Sequence, residues 1–266
     1  MARVPSDPEI IVFRGWLDRG KHVWSPFVTK LELRLRLAGV PYAAEAGSLS
    51  DAPKGKLPYM SYKAGETSFK MGDSALISRR LTEEGVIPDL NARLSGAERA
   101  QDLALRTLLE DKLYFIHNYE LWEQNYYVMR DHILASLPWP MRVGVGIMIY
   151  RDTMARLRGQ GVGRHSAEEI SLFRDEIWQG VADTLIEAKA ESPVSGNECF
   201  WVFGGDAPTE ADTTLFGFIV AVTMCAMIDM WSRPASQETI QRFPIILDYA
   251  GRIQDKYFAD YEKWVI

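Results

Sequence analysis

Residues 53–77, PKGKLPYMSYKAGETSFKMGDSALI, decide the fold. Leu57 to Tyr62 and Glu66 to Lys70 are short strand-like runs bracketing Ala64-Gly65, which reads as a hairpin turn. Ser74 to Glu83 then repeats apolar residues at helical spacing and stops at Gly85, a favoured helix end. Working backwards, Val40-Pro41-Tyr42 begins another strand, and Ser25-Pro26 opens a helix in which Phe27, Leu31, Leu35 and Ala38 repeat before Gly39. Serine is a favoured N-cap and proline a favoured first helical residue. Glu9 to Arg14 is a β-branched apolar run, read as a strand buried on both faces. The order is β-α-β followed by β-β-α, a thioredoxin-like α/β half, although the spacing alone also permits other small α/β folds.

Working forwards, Val86 to Leu94, with Pro88 and Asn91, reads as a linker, and everything beyond about residue 95 is helical in period. Capping-box spacing at Ser95…Glu98 and Ser166…Glu169 marks two helix starts, the first helix running to about Tyr127. Pro138 and Pro140 precede another helix to about Arg158, and Thr209…Asp212 heads an apolar helix through Trp231. The last helix spans about Ile245 to Phe258. The expected organisation is an α/β unit over 1–85, a linker over 86–94 and an all-α unit over 95–266.

The chain has 266 residues, of which 47% are hydrophobic and 25% charged, so a sizeable core is expected and wholesale disorder is excluded. Its net charge of −6 repels phosphate backbones, which argues against nucleic acid as a partner. The two cysteines, Cys199 and Cys225, form neither a CxxC nor a zinc pattern, and the four histidines have no ligand spacing, so no metal is expected. The start shows no secretory pattern, and the most apolar run, Leu215 to Ile228, is shorter than a membrane span. A cytoplasmic chain without a membrane span is the expectation.

Three stretches carry chemistry. Ser25 puts a hydroxyl at a helix N-terminus, where orphan N–H groups and the helix dipole favour a thiolate. A cis bond before Pro58 would turn the backbone of Leu57 outward to pair with an extended peptide. At Gly72-Asp73-Ser74, the Ser74 amide and hydroxyl suit a carboxylate and Asp73 suits an ammonium group, together the head of an α-amino acid. Taken singly, Ser25, Asp73 and Ser74 also read as caps and Pro58 as a turn residue.

In this order the motifs resemble the glutathione S-transferase superfamily. Ser25-Pro26-Phe27 is similar to its active-site helix start, Pro53 to Tyr59 to its cis-proline segment and Gly72 to Ile77 to its glutamyl-binding turn. Gly204 to Phe216 is similar to its C-terminal capping motif. The wording Pro-Lys-Gly-Lys-Leu-Pro is nearest the branch of failed-axon-connections and metaxin-like proteins and many fungal transferases. The resemblance implies a thioredoxin-like N-terminal domain with an all-α C-terminal domain and glutathione as cosubstrate. It implies that Ser25 stabilises the thiolate, Leu57 and Pro58 bind the cysteinyl backbone, Asp73 and Ser74 bind the γ-glutamyl end, and Lys54 or Lys56 meets the glycyl carboxylate.

A hydrophobic second substrate would face Phe27 and a stripe on the first long helix, Phe115, Tyr119, Trp122 and Tyr126, with Tyr114, His117 and Tyr127 nearby; such a stripe also reads as plain core. The expected activity is conjugation to an electrophile. Reversible thiolate addition to an activated alkene would instead give trans/cis isomerisation, as in fungal biosynthetic pathways of secondary metabolism. A homodimer is a family expectation, and a non-catalytic scaffold for protein contacts is the alternative. Two departures stand out: the loop from Gly15 to Trp24 is longer than usual, and no cysteine precedes residue 199, which disfavours thiol transfer.

Overall fold

In the computed structural model, which describes residues 8–15, 19–135, 137–193, 196–224 and 235–264, the β-branched run forms β1 (Glu9–Phe13). Ile10 and Val12 are buried, whereas Ile11 and Phe13 on the other face are half-buried, so the strand is fully covered on one face only. The chain crosses through α1 (Pro26–Leu37) to β2 (Ala43–Glu45), parallel to β1, and returns through β3 (Tyr59–Ala64) and β4 (Thr67–Gly72), both antiparallel. The sheet order is β2-β1-β3-β4, followed by α2 (Ser74–Glu83). β2 starts later than Val40: Pro41 has no N–H to give to a ladder, and Val40 and Tyr42 instead pack against the sheet's core.

That core unites Ile10, Val12, Leu31, Leu35, Met60, Tyr62, Ile77, Leu81 and Ile87, the last from the stretch read as a linker. A second, larger core holds the helices, and Trp24 and Leu33 from the N-terminal part join it. α1 is therefore buried on both sides. Lys30, Glu32 and Arg34 on its polar face are almost wholly buried and ion-paired, Lys30 with Glu110 at 2.5 Å and Arg34 with Glu210 at 2.7 Å. Burying charge is tolerated only with such partners. Of the predicted stripe, Leu31 and Leu35 are core while Phe27 and Ala38 are half-buried.

Both capping boxes form: Ser95 heads α3 (Gly96–Thr107) and Ser166 heads α7 (Ala167–Glu191), each with reciprocal bonds to the glutamate three residues on. The first long helix is continuous to Gln124 but not uniformly α. It passes through π-helical turns at Leu108–Leu113 and Glu120–Gln124 on either side of α4 (Tyr114–Tyr119) and breaks at Asn125 before α5 (Tyr126–Ile133). α6 (Trp139–Gln160), α8 (Glu210–Met224), α9 (Ala235–Gln241) and α10 (Pro244–Tyr257) complete the helices. The α9 helix was not anticipated, and the predicted continuation of α8 toward Trp231, with Cys225, lies outside the described residues.

Asp212 fixes the start of α8. Its buried carboxylate accepts Thr209 N–H and hydroxyl at 2.7 and 2.9 Å, Val202 N–H at 2.8 Å and the Tyr249 hydroxyl at 2.8 Å. Gly217 then lets α8 cross the first turn of α1: a Cβ there would lie 3.2 Å from Lys30 N and collide with the Pro26 carbonyl oxygen.

Candidate functional site

The sheet register sets the Leu57-Pro58 and Asp73-Ser74 motifs side by side, next to the end of β1. Phe13 pairs with Tyr59, and Tyr59 with Gly72, so the end of β1, the start of β3 and the end of β4 lie side by side. Whatever leaves or approaches these residues meets at one end of the sheet: Arg14-Gly15 after β1, Leu57-Pro58 before β3 and Asp73-Ser74 after β4. The Asp73 N–H donates to the Pro58 carbonyl at 3.3 Å. Gly15 lies against Leu57, whose Cδ1 would stand 2.5 Å from a Cβ at that glycine. Gly72 lies against Lys54, 3.6 Å from the Lys54 Cβ by the same measure. Lys56 is exposed, and no contact among the described residues draws it into the cluster.

The Leu57–Pro58 bond is cis. Among the described residues the backbone N–H and C=O of Leu57 make no hydrogen bond, which leaves one donor and one acceptor at this sheet end. Asp73 holds a φ of 86°, the only positive φ at a non-glycine among the described residues. Such a backbone is strained for an L-residue and clusters at ligand sites. Its Oδ1 accepts from Ala75 and Leu76 N–H at 3.1 Å each, so it does cap α2, yet Oδ2 is not spent on that cap. Ser74, buried at the first turn, presents a backbone N–H that the helix leaves unpaired.

Ser25 stands at the N-terminus of α1 in extended backbone (φ −77°, ψ 113°), and its hydroxyl makes no capping bond. The plain capping role is therefore not what Ser25 does here. The long loop before it is anchored from the far side: His22 Nε2 bonds Gln254 Oε1 at 2.7 Å, Glu262 N–H bonds the Gly20 carbonyl at 2.7 Å, and Trp24 stacks on His132 at 4.2 Å between centroids. Burial lowers the His22 pKa to about 4, so this anchor is a neutral imidazole at neutral pH.

The aromatic residues divide. Phe27 meets Tyr114 edge-on at 5.0 Å and Phe218 at 6.1 Å. Tyr114 in turn opens a cavity of about 220 Å³ lined by Phe115, Asn118 and Trp122 from the long helix and by Ile149, Thr153, Arg156 and Leu157 from α6. Phe115 and Trp122 thus line one cavity, linked to Phe27 through Tyr114. Tyr119 and Tyr126 do not line it; Tyr126 packs on Tyr127 and Tyr150, each at 5.2 Å. The helix breaks at Asn125 (φ −125°, ψ 29°), so Tyr126 opens a new helix and does not continue the stripe of the one before it. Tyr114 was named only as a neighbour of the stripe, and no sequence pattern pointed to Thr153, Arg156 and Leu157 of α6.

Among the described residues no group of three or more His, Cys, Asp or Glu could hold a metal ion. Cys199 is buried, and burial pushes its thiol pKa up.

Comparison with known proteins agrees with this geometry. Residues 26–129 match the glutathione S-transferase N-terminal domain, a span from α1 through the cis-proline and Asp73 turns into α5. Two solved glutathione transferases of Phanerochaete chrysosporium superpose with TM-scores of 0.60 and 0.58, covering 97% of this chain and 99% of theirs at 14% and 17% identity. This chain carries a glutathione S-transferase N-terminal domain and the fold of that superfamily. A glutathione transferase family member from Pseudomonas fluorescens, solved with two glutathione molecules bound, superposes at a TM-score of 0.55 with 15% identity, over 94% of this chain and 90% of that one.

Among curated proteins, the isoprene-epoxide–glutathione S-transferase of Rhodococcus sp. is 28% identical over 243 residues, 88% of this chain and 92% of that protein. Failed axon connections of Drosophila melanogaster is 24% identical over 260 residues, 90% of this chain; the chain spans only 56% of that relative's length. Among the described residues no helix is long and apolar enough to cross a membrane.

Proposed function

We propose that this glutathione S-transferase-fold chain is an enzyme that activates glutathione and delivers its thiolate to a hydrophobic electrophile. The observation that carries the reading is the Phe13–Tyr59–Gly72 register, which sets the Leu57-Pro58 backbone beside the Asp73-Ser74 helix start, next to the end of the strand that precedes the Ser25 loop. In this reading the γ-glutamyl ammonium pairs with Asp73 and its carboxylate takes the Ser74 N–H. The cysteinyl backbone pairs with Leu57 beside Pro58. Lys54, held over Gly72, serves the glycyl carboxylate better than Lys56 does. Ser25 donates its free hydroxyl to the sulfur, which the α1 N-terminus further favours as a thiolate.

The thiolate then forms a carbon–sulfur bond while the electrophile's leaving group, or the oxygen of an opened ring, takes the electron pair and afterwards a proton. The epoxide in the name of the Rhodococcus relative is an electrophile of this kind. An activated alkene would react by the same addition, and its reversal after bond rotation would isomerise the substrate with glutathione regenerated. Phe27, Phe115 and Trp122, with Tyr114 between them, would receive the apolar part; Tyr119 and Tyr126 fall outside this set.

Titration calorimetry with glutathione, paired with turnover of an alkyl epoxide, tests the reading. Saturable binding with product formation supports it. Binding without turnover across epoxides, aryl halides and activated alkenes, or no binding at millimolar glutathione, would favour the non-catalytic scaffold.

A further inference from the structure

The charge of this chain is unevenly placed. Residues 127–164 hold six arginines (130, 142, 151, 156, 158, 164), no lysine and two acids (Asp131, Asp152), a net of 6 − 2 = +4 within a chain of −6, so the remainder carries −6 − 4 = −10. The same stretch holds six of the twelve exposed large hydrophobic residues among those described, Tyr127, Ile133, Trp139, Met141, Ile147 and Met148. Scattered exposed apolar residues need no explanation, but half of them in one basic segment do.

α6 organises the segment. At about 100° per residue, Met141, Gly144, Ile147, Met148, Arg151 and Arg158 fall within one arc of about 120°, while Gly146, Thr153 and Leu157 fall opposite. The structure agrees: the second group is buried and the first is open to solvent, with Met148 64%, Met141 56% and Ile147 45% exposed. The outer face is apolar for its first three turns and basic beyond. The neighbouring acids are engaged: Asp131 pairs with Arg130 and Arg142, Asp152 with Arg156, and Glu123 accepts the Tyr150 hydroxyl at 2.5 Å.

We propose that the outer face of α6 is a docking surface for an anionic lipid bilayer, on which the protein rests peripherally with Met141, Ile147 and Met148 in the headgroup boundary and Arg151 and Arg158 against lipid phosphates. Exposed apolar residues beside arginines on one helix face are the composition that interfacial helices use. Charge selects the occupant. A second copy docked through the same face would set +4 against +4, whereas an anionic surface complements it. Screening over about 10 Å lets this local patch, rather than the whole-chain −6, govern contact. The inner face of α6 lines the 220 Å³ cavity, so docking would place that cavity one helix away from the lipid. The proposal stands whether or not the cavity takes an apolar electrophile.

Flotation of the full chain with vesicles of phosphatidylcholine alone, and with about one third phosphatidylserine, tests it. The expected result is partition into the serine-lipid vesicles that weakens as salt rises and is small on neutral ones. Met148→Glu, and Arg151→Glu with Arg158→Glu, should each lower that partition about tenfold or more with circular dichroism and melting unchanged. If Met148→Glu fails to fold, a tryptophan placed on the face by Met148→Trp still decides: brominated lipid should quench its added emission. Absence of partition, partition untouched by these variants, or equal partition on neutral vesicles would overturn the proposal. So would a dimer that Met148→Glu dissociates in a chain that ignores vesicles, which would make the face a protein contact.

Discussion

Ser25→Ala separates a helix cap from a thiolate donor, because the structure predicts different magnitudes for the two roles. A capping serine loses about 1 kcal/mol on truncation to alanine. Ser25 makes no capping bond, so its removal should cost under about 0.5 kcal/mol and leave melting unchanged within error. Ser95→Ala is the internal control: Ser95 closes a full capping box and should lose about 1 kcal/mol, about 2–4 °C for a chain of this size. A hydroxyl bonded to an anionic sulfur contributes about 1.5–3 kcal/mol, and about 1.4 kcal/mol is one pKa unit, so the bound thiol should rise by about 1–2 units. The remaining thiolate becomes more nucleophilic, with a Brønsted slope of about 0.4–0.5, so turnover below both pKa values should fall only about 3- to 15-fold. The assay is the thiolate's ultraviolet absorbance and the pH–rate profile of the glutathione complex, with melting measured alongside. A stability loss like that of Ser95→Ala with an unmoved thiol pKa would refute the reasoning and return Ser25 to the role of cap.

Asp73→Ala removes the one oxygen that accepts two helix-start N–H groups and should cost about 1 kcal/mol, and it should raise the glutathione dissociation constant more than tenfold by calorimetry; unchanged affinity would make Asp73 a cap alone. Gly217→Ala sets a Cβ against the Pro26 carbonyl and should destabilise by about 3 kcal/mol or more in denaturant titration, while any folded fraction loses turnover because the α1 N-terminus shifts; a neutral result would mean that α8 and α1 sit farther apart. Burial lowers His22 and His117 to about 4 from an ordinary 6.5. Between these values the unfolded chain binds protons that the folded chain does not, so each histidine's penalty is absent above about pH 7 and grows as pH falls, reaching about 2 kcal/mol at pH 5. His117→Leu should flatten the stability–pH curve over that window, and an unchanged slope would show His117 to be protonated in the fold.

Local patterns were legible wherever a residue type has a short-range reason to be where it is. Both serine–glutamate capping boxes, the Gly65 turn and the helix opening at Ser25-Pro26 follow from backbone hydrogen bonding within a few residues, and all are present. The adjacency of Leu57-Pro58 and Asp73-Ser74 followed from strand order, since a β-α-β-β-α chain places those strand ends together. What stayed hidden depends on distant partners. The charged face of α1 looks solvated in sequence because Glu110 and Glu210, which neutralise Lys30 and Arg34, lie 80 and 176 residues away. The cavity was half legible: Phe115 and Trp122 fit an α-helical stripe, but the break at Asn125 that displaces Tyr126 has no periodic signature, and Thr153 and Arg156 come from another helix. Asp73's backbone conformation was also invisible, because nothing in Gly-Asp-Ser says which residue takes the positive φ.

The most direct test of the central claim is a crystal structure of the chain grown with saturating glutathione. The account predicts one tripeptide at the sheet end, with its γ-glutamyl head on Asp73 and Ser74, its cysteinyl backbone on Leu57, and its sulfur within hydrogen-bond distance of the Ser25 hydroxyl. A tripeptide bound elsewhere, a sulfur beyond reach of Ser25, or an empty cleft at saturation would contradict it.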